Sequence, residues 1–225
     1  MKKIGYLFSL VFILTLCSFM IQQKRKIIFF GDSITQAGVQ PGGYIMKIGD
    51  LAAQENLQGN YEFIGAGIGG NKVYDLYLRL EEDVLNKKPD VVFIYVGVND
   101  VWHKQSHGTG TDADKFEKFY TALITNIQGN GADVILVTPG VIGERTDFSN
   151  QLDGDLNHYS NIIRGMARQH KLKLVDLRTS FLEYNRRNNP ANKESGILTT
   201  DRVHLNDKGN QLVADEMWKV IKALK

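Results

Sequence analysis

Apolar blocks and spaced apolar stripes alternate along this chain from residue 26 to its end. The blocks at 26–30, 61–66, 91–96, 132–138 and 172–176 read as strands, and the continuously apolar ones as strands covered on both faces. Between them, apolar residues recur every three or four positions. Ile45, Ile48, Leu51 and Ala52 predict a helix over 43–54. Leu76, Leu80 and Val84 predict one over 73–85, stopped by Pro89. Phe116, Tyr120, Leu123, Ile124 and Ile127 place a helix over 112–128, ended by Gly129 and Gly131. Further helices are expected over 156–170 and 180–188, and Asn206 is placed to cap a last one reaching Leu224. The stretch 104–110, with two glycines and several small polar residues, reads as loop.

Strands alternating with amphipathic helices predict an α/β fold. The expected architecture is three-layer α/β/α, with a doubly wound parallel sheet of about five strands. In such sheets a site forms beyond the carboxyl ends of the strands, where the strand order reverses. Three expected strands end there in segments that packing alone would not require. These are Gly31-Asp32-Ser33, Gly67-Ile68-Gly69-Gly70-Asn71 and Gly97-Val98-Asn99-Asp100.

Ahead of residue 24 the pattern changes. Met1-Lys2-Lys3 precedes an uncharged, mostly apolar stretch over 4–21, then Gln22 and Gln23. A basic start, an apolar centre and a polar flank read as a secretory signal peptide over 1–23. The stretch is also about long enough to span a bilayer, which keeps an uncleaved anchor open. Lipidation at Cys17 stays open as well, although Leu16 stands where a small residue is expected before it. Each reading puts the single domain over 24–225 outside the cytoplasm, in the periplasm, the medium or at the cell surface, with membrane attachment through the leader as one form. The formal charge of +2 disappears without Lys2 and Lys3, and no basic stripe marks a nucleic-acid partner. Cys17 is the sole cysteine, so disulfides and cysteine metal sites are excluded from the domain.

The candidate chemistry links the two ends of the chain. A serine hydroxyl is a poor nucleophile at neutral pH. It needs an imidazole to take its proton and a carboxylate to hold that imidazole in one tautomer. Ser33, directly after the first strand, is the candidate nucleophile; its ordinary alternative is a helix cap. Asp201 and His204, three residues apart, are the candidate carboxylate and base, so activity is expected to fall as the imidazole protonates. An oxyanion formed on attack needs fixed donors: the backbone N–H groups of Ser33 and Gly70 and the side-chain amide of Asn99. Asp32 and Asp100 read as structural, tying down neighbouring loops. His103 and His107 stand four apart but lack a third ligand, so no metal site is assigned. Tyr44 and Trp102 are the candidate substrate contacts, with Tyr159 and Arg145 also near the expected site.

Taken together, Gly31-Asp32-Ser33-Ile34-Thr35, Gly67-Ile68-Gly69-Gly70-Asn71, Gly97-Val98-Asn99-Asp100 and Asp201-Arg202-Val203-His204 resemble the four sequence blocks of the SGNH (GDSL-type) hydrolases. The likeness covers nearly the whole chain after the leader. It implies a flavodoxin-like sheet and a serine esterase. The block residues Ser, Gly, Asn and His fall on Ser33, Gly70, Asn99 and His204, with the carboxylate at Asp201. One departure is visible: the second block often begins with Asn, and here that position is Gly65. The resemblance implies no metal or organic cofactor.

The expected substrate is a small-molecule or polysaccharide ester. No long apolar insertion suggests a lid or an acyl tunnel, so a short acyl group such as acetyl on a carbohydrate is favoured. Two alternatives stay open: a short-chain lipid or small-ester hydrolase, and a glycan- or lipid-binding protein that keeps the fold without turnover.

Overall fold

The computed structural model describes residues 23–224. The expected leader, with Cys17, falls outside the described residues except for Gln23. Five parallel strands form one sheet: β1 (Arg25–Gly31), β2 (Tyr61–Gly67), β3 (Val91–Tyr95), β4 (Asp133–Val137) and β5 (Lys173–Val175). Their order is β2-β1-β3-β4-β5. The chain therefore reverses direction across the sheet between β1 and β3, and the carboxyl ends of those strands open a crevice. Phe29 pairs with Gly65 on one side and Phe93 on the other, and its ring stacks on Phe93 at 5.1 Å. Ile27 to Phe30 and Val91 to Ile94 are fully buried, as continuous apolar runs require.

The helices are α1 (Ser33–Gly38), α2 (Tyr44–Gln54), α3 (Val73–Leu78), α4 (Leu80–Asp83), α5 (Val98–Ser106), α6 (Ala113–Gly129), α7 (Asp153–Gln169), α8 (Leu177–Asn188) and α9 (Asp207–Lys222). Helices α2 and α9 pack together, while α6 packs against both α3 and α7, giving the expected layers around the sheet. Asn206 caps α9 by accepting from the Gly209 N–H at 3.0 Å.

Three local expectations are corrected. The helix expected over 73–85 is broken at Arg79 into α3 and α4, followed by a 3₁₀ turn at Leu85–Lys87. The Arg79 guanidinium supplies the reason, because it turns inward to donate to Gly31 O at 2.7 Å, Ala66 O at 3.1 Å and Asn71 Oδ1 at 2.7 Å. Its Cζ also lies over the Phe30 ring, 4.5 Å from the ring centre. The expected loop over 104–110 begins later than the sequence suggests, since Lys104, Gln105 and Ser106 extend α5. Finally, α7 starts at Asp153 rather than near 156. Asp153 binds Arg178, a fully buried arginine on α8, at 2.7 Å, and this fixes the extra turn.

Candidate active site

Gly31 ends β1 between β2 and β3, and the chain turns at once into α1. Asp32 is the cap of that helix: its carboxylate accepts the Ile34 N–H at 3.0 Å. Ser33 is therefore the first helical residue and not the cap. Its N–H belongs to the group that a helix start leaves without an intrahelical acceptor. Its side chain reaches across the sheet end to a residue 171 positions later: Ser33 Oγ lies 3.0 Å from His204 Nε2. His204 Nδ1 lies 2.7 Å from Asp201 Oδ2. With Nδ1–H donating to the carboxylate, the Nε2 lone pair faces the hydroxyl, which is the arrangement for removing its proton. The other Asp201 oxygen accepts the N–H of Val203 at 3.1 Å and of His204 at 2.8 Å. Partial burial works to raise the Asp201 pKa. The His204 ring and these N–H groups outweigh it and hold the carboxyl below its ordinary range.

Asp201 and His204 do not sit on a helical turn. They form the tip of a loop closed by a bridge between Thr199 and Leu205, with Arg202 in the left-handed region at φ 84°. Glu144, which is buried, holds the base of this loop. Its carboxylate accepts three consecutive N–H groups, those of Ile197 (2.8 Å), Leu198 (2.6 Å) and Thr199 (2.9 Å). Gly143 N–H donates to Arg202 O at 2.9 Å. On the other side, α9 approaches so closely that a Cβ on Gly209 would stand 2.0 Å from Leu198 O. Nothing in the sequence around Glu144 signals this role; its three partners lie more than fifty residues away.

Across the crevice, Asn99 occupies the first turn of α5 and is buried. Its amide nitrogen donates one hydrogen to Asn71 O at 3.1 Å, which orients the group and leaves its second N–H for another acceptor. Gly70 adopts φ 76°, a conformation that suits glycine, and its carbonyl accepts from Lys72 Nζ at 3.2 Å. Arg79 and Lys72 thus fix the 67–72 loop, and neither stood out in the sequence. The departure at Gly65 has a simple packing reason: Val39 fills the space a Cβ would need, at 2.3 Å.

Asp32 and Asp100 are both structural, as expected. Burial pushes the Asp32 pKa up to about 7, against the lowering effect of the Ile34 N–H. Burial likewise pushes Asp100 up to about 6, and this carboxylate accepts the Val73 N–H at 3.1 Å to anchor α3. Tyr44, a candidate substrate contact, is corrected: it is fully buried beneath α1, donates to Thr35 Oγ1 at 3.0 Å and meets the Phe29 ring edge-on at 5.8 Å. Its position on the inner face of α2 points the ring into the core. Tyr159 is also buried, with its hydroxyl on Thr111 O. Trp102 and Arg145 instead line a cavity beside the loop that carries His204. The His103 and His107 ring centres lie 4.5 Å apart, with the rings tilted at 56° to each other.

The family described as GDSL-like Lipase/Acylhydrolase matches residues 29–212. A crystal structure of an acetyl xylan esterase, AlAXEase, is 63% identical with a TM-score of 0.86, covering 87% of this chain and 99% of that one. An acetylxylan esterase from Geobacillus stearothermophilus is 29% identical over 84% of this chain and 90% of its own length. The lipoprotein YqeF from Bacillus subtilis is 25% identical over 95% of each chain. With the family model matched over 29–212 and the likeness to the two acetyl xylan esterases, the chain belongs to the GDSL-like lipase/acylhydrolase family as a carboxylic ester hydrolase.

Proposed function

We propose that this protein removes short acyl groups, acetyl in particular, from carbohydrate esters, with Ser33 as nucleophile, His204 as general base and acid, and Asp201 as its orienting carboxylate. The observation that carries the reading is the continuous contact from Ser33 Oγ through the His204 ring to Asp201. Ser33 Oγ attacks the ester carbonyl carbon while its proton passes to His204 Nε2. The tetrahedral oxyanion is held by the N–H groups of Ser33 and Gly70 and the free N–H of Asn99. His204 then returns the proton to the departing sugar oxygen, and the acyl group stays on Ser33. In the second half, a water gives its proton to Nε2 and attacks the acyl carbon. Acetate leaves and Ser33 Oγ recovers the proton.

The carbohydrate reading is supported by the acetyl xylan esterases this chain resembles and by the lining of the neighbouring cavity. That lining includes Arg145, Arg202, Glu194, Gln105 and Asn150, which suit hydroxyl groups better than a fatty chain. Acetate release from acetylated xylo-oligosaccharides, run beside p-nitrophenyl esters of two, four and eight carbons, tests it. The expected result is turnover of the sugar acetates and a steep fall with acyl length. Faster turnover of the eight-carbon ester would favour a lipid-type substrate. We also propose that residues 1–23 direct export, a reading in keeping with the lipoprotein among the relatives. Mass spectrometry of the mature N-terminus checks this; an intact, unmodified Met1 in a cytoplasmic fraction would overturn it.

A further inference from the structure

The loop after β2 runs directly beside Ser33: a Cβ on Gly69 would lie 4.0 Å from Ser33 Cβ. Most of this loop is tied to the sheet or to its neighbours. Ile68 N–H donates to Gly31 O at 3.2 Å, and Asn71 N–H to Ile68 O at 3.3 Å. Asn71 O accepts from the Asn99 amide, and Asn71 Oδ1 from Arg79. Gly70 is the exception. Among the described residues its N–H has no acceptor, and its carbonyl has one partner, Lys72 Nζ at 3.2 Å.

The backbone of Lys72 is held at the start of α3. Its N–H donates to the Asp75 carboxylate at 2.9 Å, and the next N–H, that of Val73, goes to Asp100 at 3.1 Å. Both nearby carboxylates thus hold main chain, and among the described residues the Lys72 ammonium forms no ion pair. A lysine stem readily carries its charge out to water. Here the side chain folds back two residues instead, and the residue is only 7% exposed. Nζ also stands 5.7 Å from the centre of the Tyr74 ring. Drawing a cation out of water without a counter-ion is unfavourable. A cation held there points to a negative charge that forms beside it during the reaction. The charge is felt next to Gly70. A Cβ on Gly70 would lie 4.0 Å from His103 Cε1, and partial burial, with Lys72 and His107, holds the His103 pKa below its ordinary value.

We propose that Lys72 is a positioning residue of the oxyanion hole. Its ammonium clamps the Gly70 carbonyl, which keeps the Gly70 N–H turned toward the crevice, and it sets a positive charge behind that donor as the ester oxygen becomes negative. The inference rests on the Ser33 mechanism above and adds to it the side chain that aims one of its donors.

The test measures turnover of p-nitrophenyl acetate, and inhibition by a trifluoromethyl ketone, for the enzyme, Lys72→Met and Lys72→Arg. Ser33 Oγ adds to the ketone carbon, its proton passes to His204, and the carbonyl electron pair stays on the oxygen. The inhibitor therefore reads the oxyanion hole without turnover. Methionine keeps an unbranched stem and removes the charge and the donors. Lys72→Met is expected to lower kcat about thirtyfold and to weaken the inhibitor by a similar factor, with KM within about twofold and the melting temperature nearly unmoved. Lys72→Arg keeps a cation with N–H donors and is expected to recover both to within about fivefold. Turnover by Lys72→Met within about threefold of the enzyme's, with inhibition unchanged, would overturn the inference. Equal losses in the two variants that follow the melting temperature, with inhibitor affinity unmoved, would make Lys72 a packing residue and also overturn it. A change confined to KM would make it a substrate contact, with the same consequence. Ser33→Ala, run in parallel, separates the two levels. Retained turnover there would sink the mechanism and the inference together, whereas its loss beside any of the overturning results removes the Lys72 role and leaves the mechanism standing.

Discussion

The two halves of the site are held in opposite ways. Ser33 follows a strand that has a hydrogen-bonded neighbour on each side, and the adjacent Asp32 is buried and caps its helix. Its position follows from a strand, a turn and a cap that are contiguous in sequence. Asp201 and His204 have no strand beneath them. They hang on a loop whose shape depends on Glu144, Gly143 and the close approach of α9 at Gly209. The proposed nucleophile is thus fixed by sheet geometry, which many residues share. The imidazole is fixed by a few hydrogen bonds from distant residues, each of which matters more. Substitutions far from the chemistry should therefore disturb the histidine half before the serine half.

The largest effect should come from Ser33→Ala. On p-nitrophenyl acetate, kcat/KM is expected to fall by about 10⁴-fold or more. The melting temperature should barely move, because the cap of α1 belongs to Asp32. Retained activity would remove the serine half from the comparison altogether. Next in size is Asn99→Ala, where loss of one oxyanion donor should lower kcat by about 10²–10³-fold. An effect confined to KM would mean that Asn99 serves substrate binding instead.

Glu144→Gln addresses the contrast directly. The amide replaces one acceptor oxygen with a donor that faces backbone N–H groups, so part of the three-bond anchor is lost. The expected result is a fall in kcat of about ten- to a hundredfold, with KM within twofold and a lower urea midpoint. A lower midpoint with unchanged kcat would show that the histidine loop keeps its geometry without this anchor, and the proposed asymmetry would fail.

A separate effect, one that leaves turnover aside, is on stability against pH, and it belongs to the serine half. The folded pKa of Asp32 is raised, so between about pH 4 and 7 the native state binds a proton that the unfolded chain has lost. Stability from this group is full below about pH 4 and is lost as pH rises through about 7. Asp100 acts in the same direction, up to about pH 6. Asp201, whose pKa is lowered, acts in the opposite sense and only as pH falls below its ordinary value. Asp32→Asn keeps an acceptor for the Ile34 N–H and removes the titration. Urea unfolding at pH 5 and pH 8 should show a difference smaller than in the unaltered protein, by on the order of 3 kcal/mol. An unchanged difference would mean that Asp32 is ionised in the folded state across this range.

Much of the fold was legible because the sheet is parallel and buried on both faces. Uninterrupted runs such as 27–30 and 91–96 admit few other readings. The residues that meet in the crevice were legible for a related reason. They stand where strands end, and Ser33, Gly70 and Asn99 follow three successive strands. The errors arose where a side chain acts on a distant partner. Arg79 looked like an ordinary helical residue, yet it breaks its helix to reach three backbone and side-chain acceptors. Tyr44 looked like a substrate contact, because it lies in a segment flanking the expected site, where an aromatic ring could stack on a sugar. Its hydroxyl is satisfied within the core by Thr35, which lets the whole ring be buried.

The sequence alone determined the alternation of strand and helix, the places where strands end, and the residue types able to activate a serine. These are consequences of periodicity and short motifs, which act over a few residues. Tertiary structure decided the rest: that Ser33 meets His204 across 171 positions, and that Glu144 shapes the loop bearing the imidazole. Such contacts depend on where the folded backbone places atoms to within a few tenths of an ångström, and no local pattern along the chain carries that information.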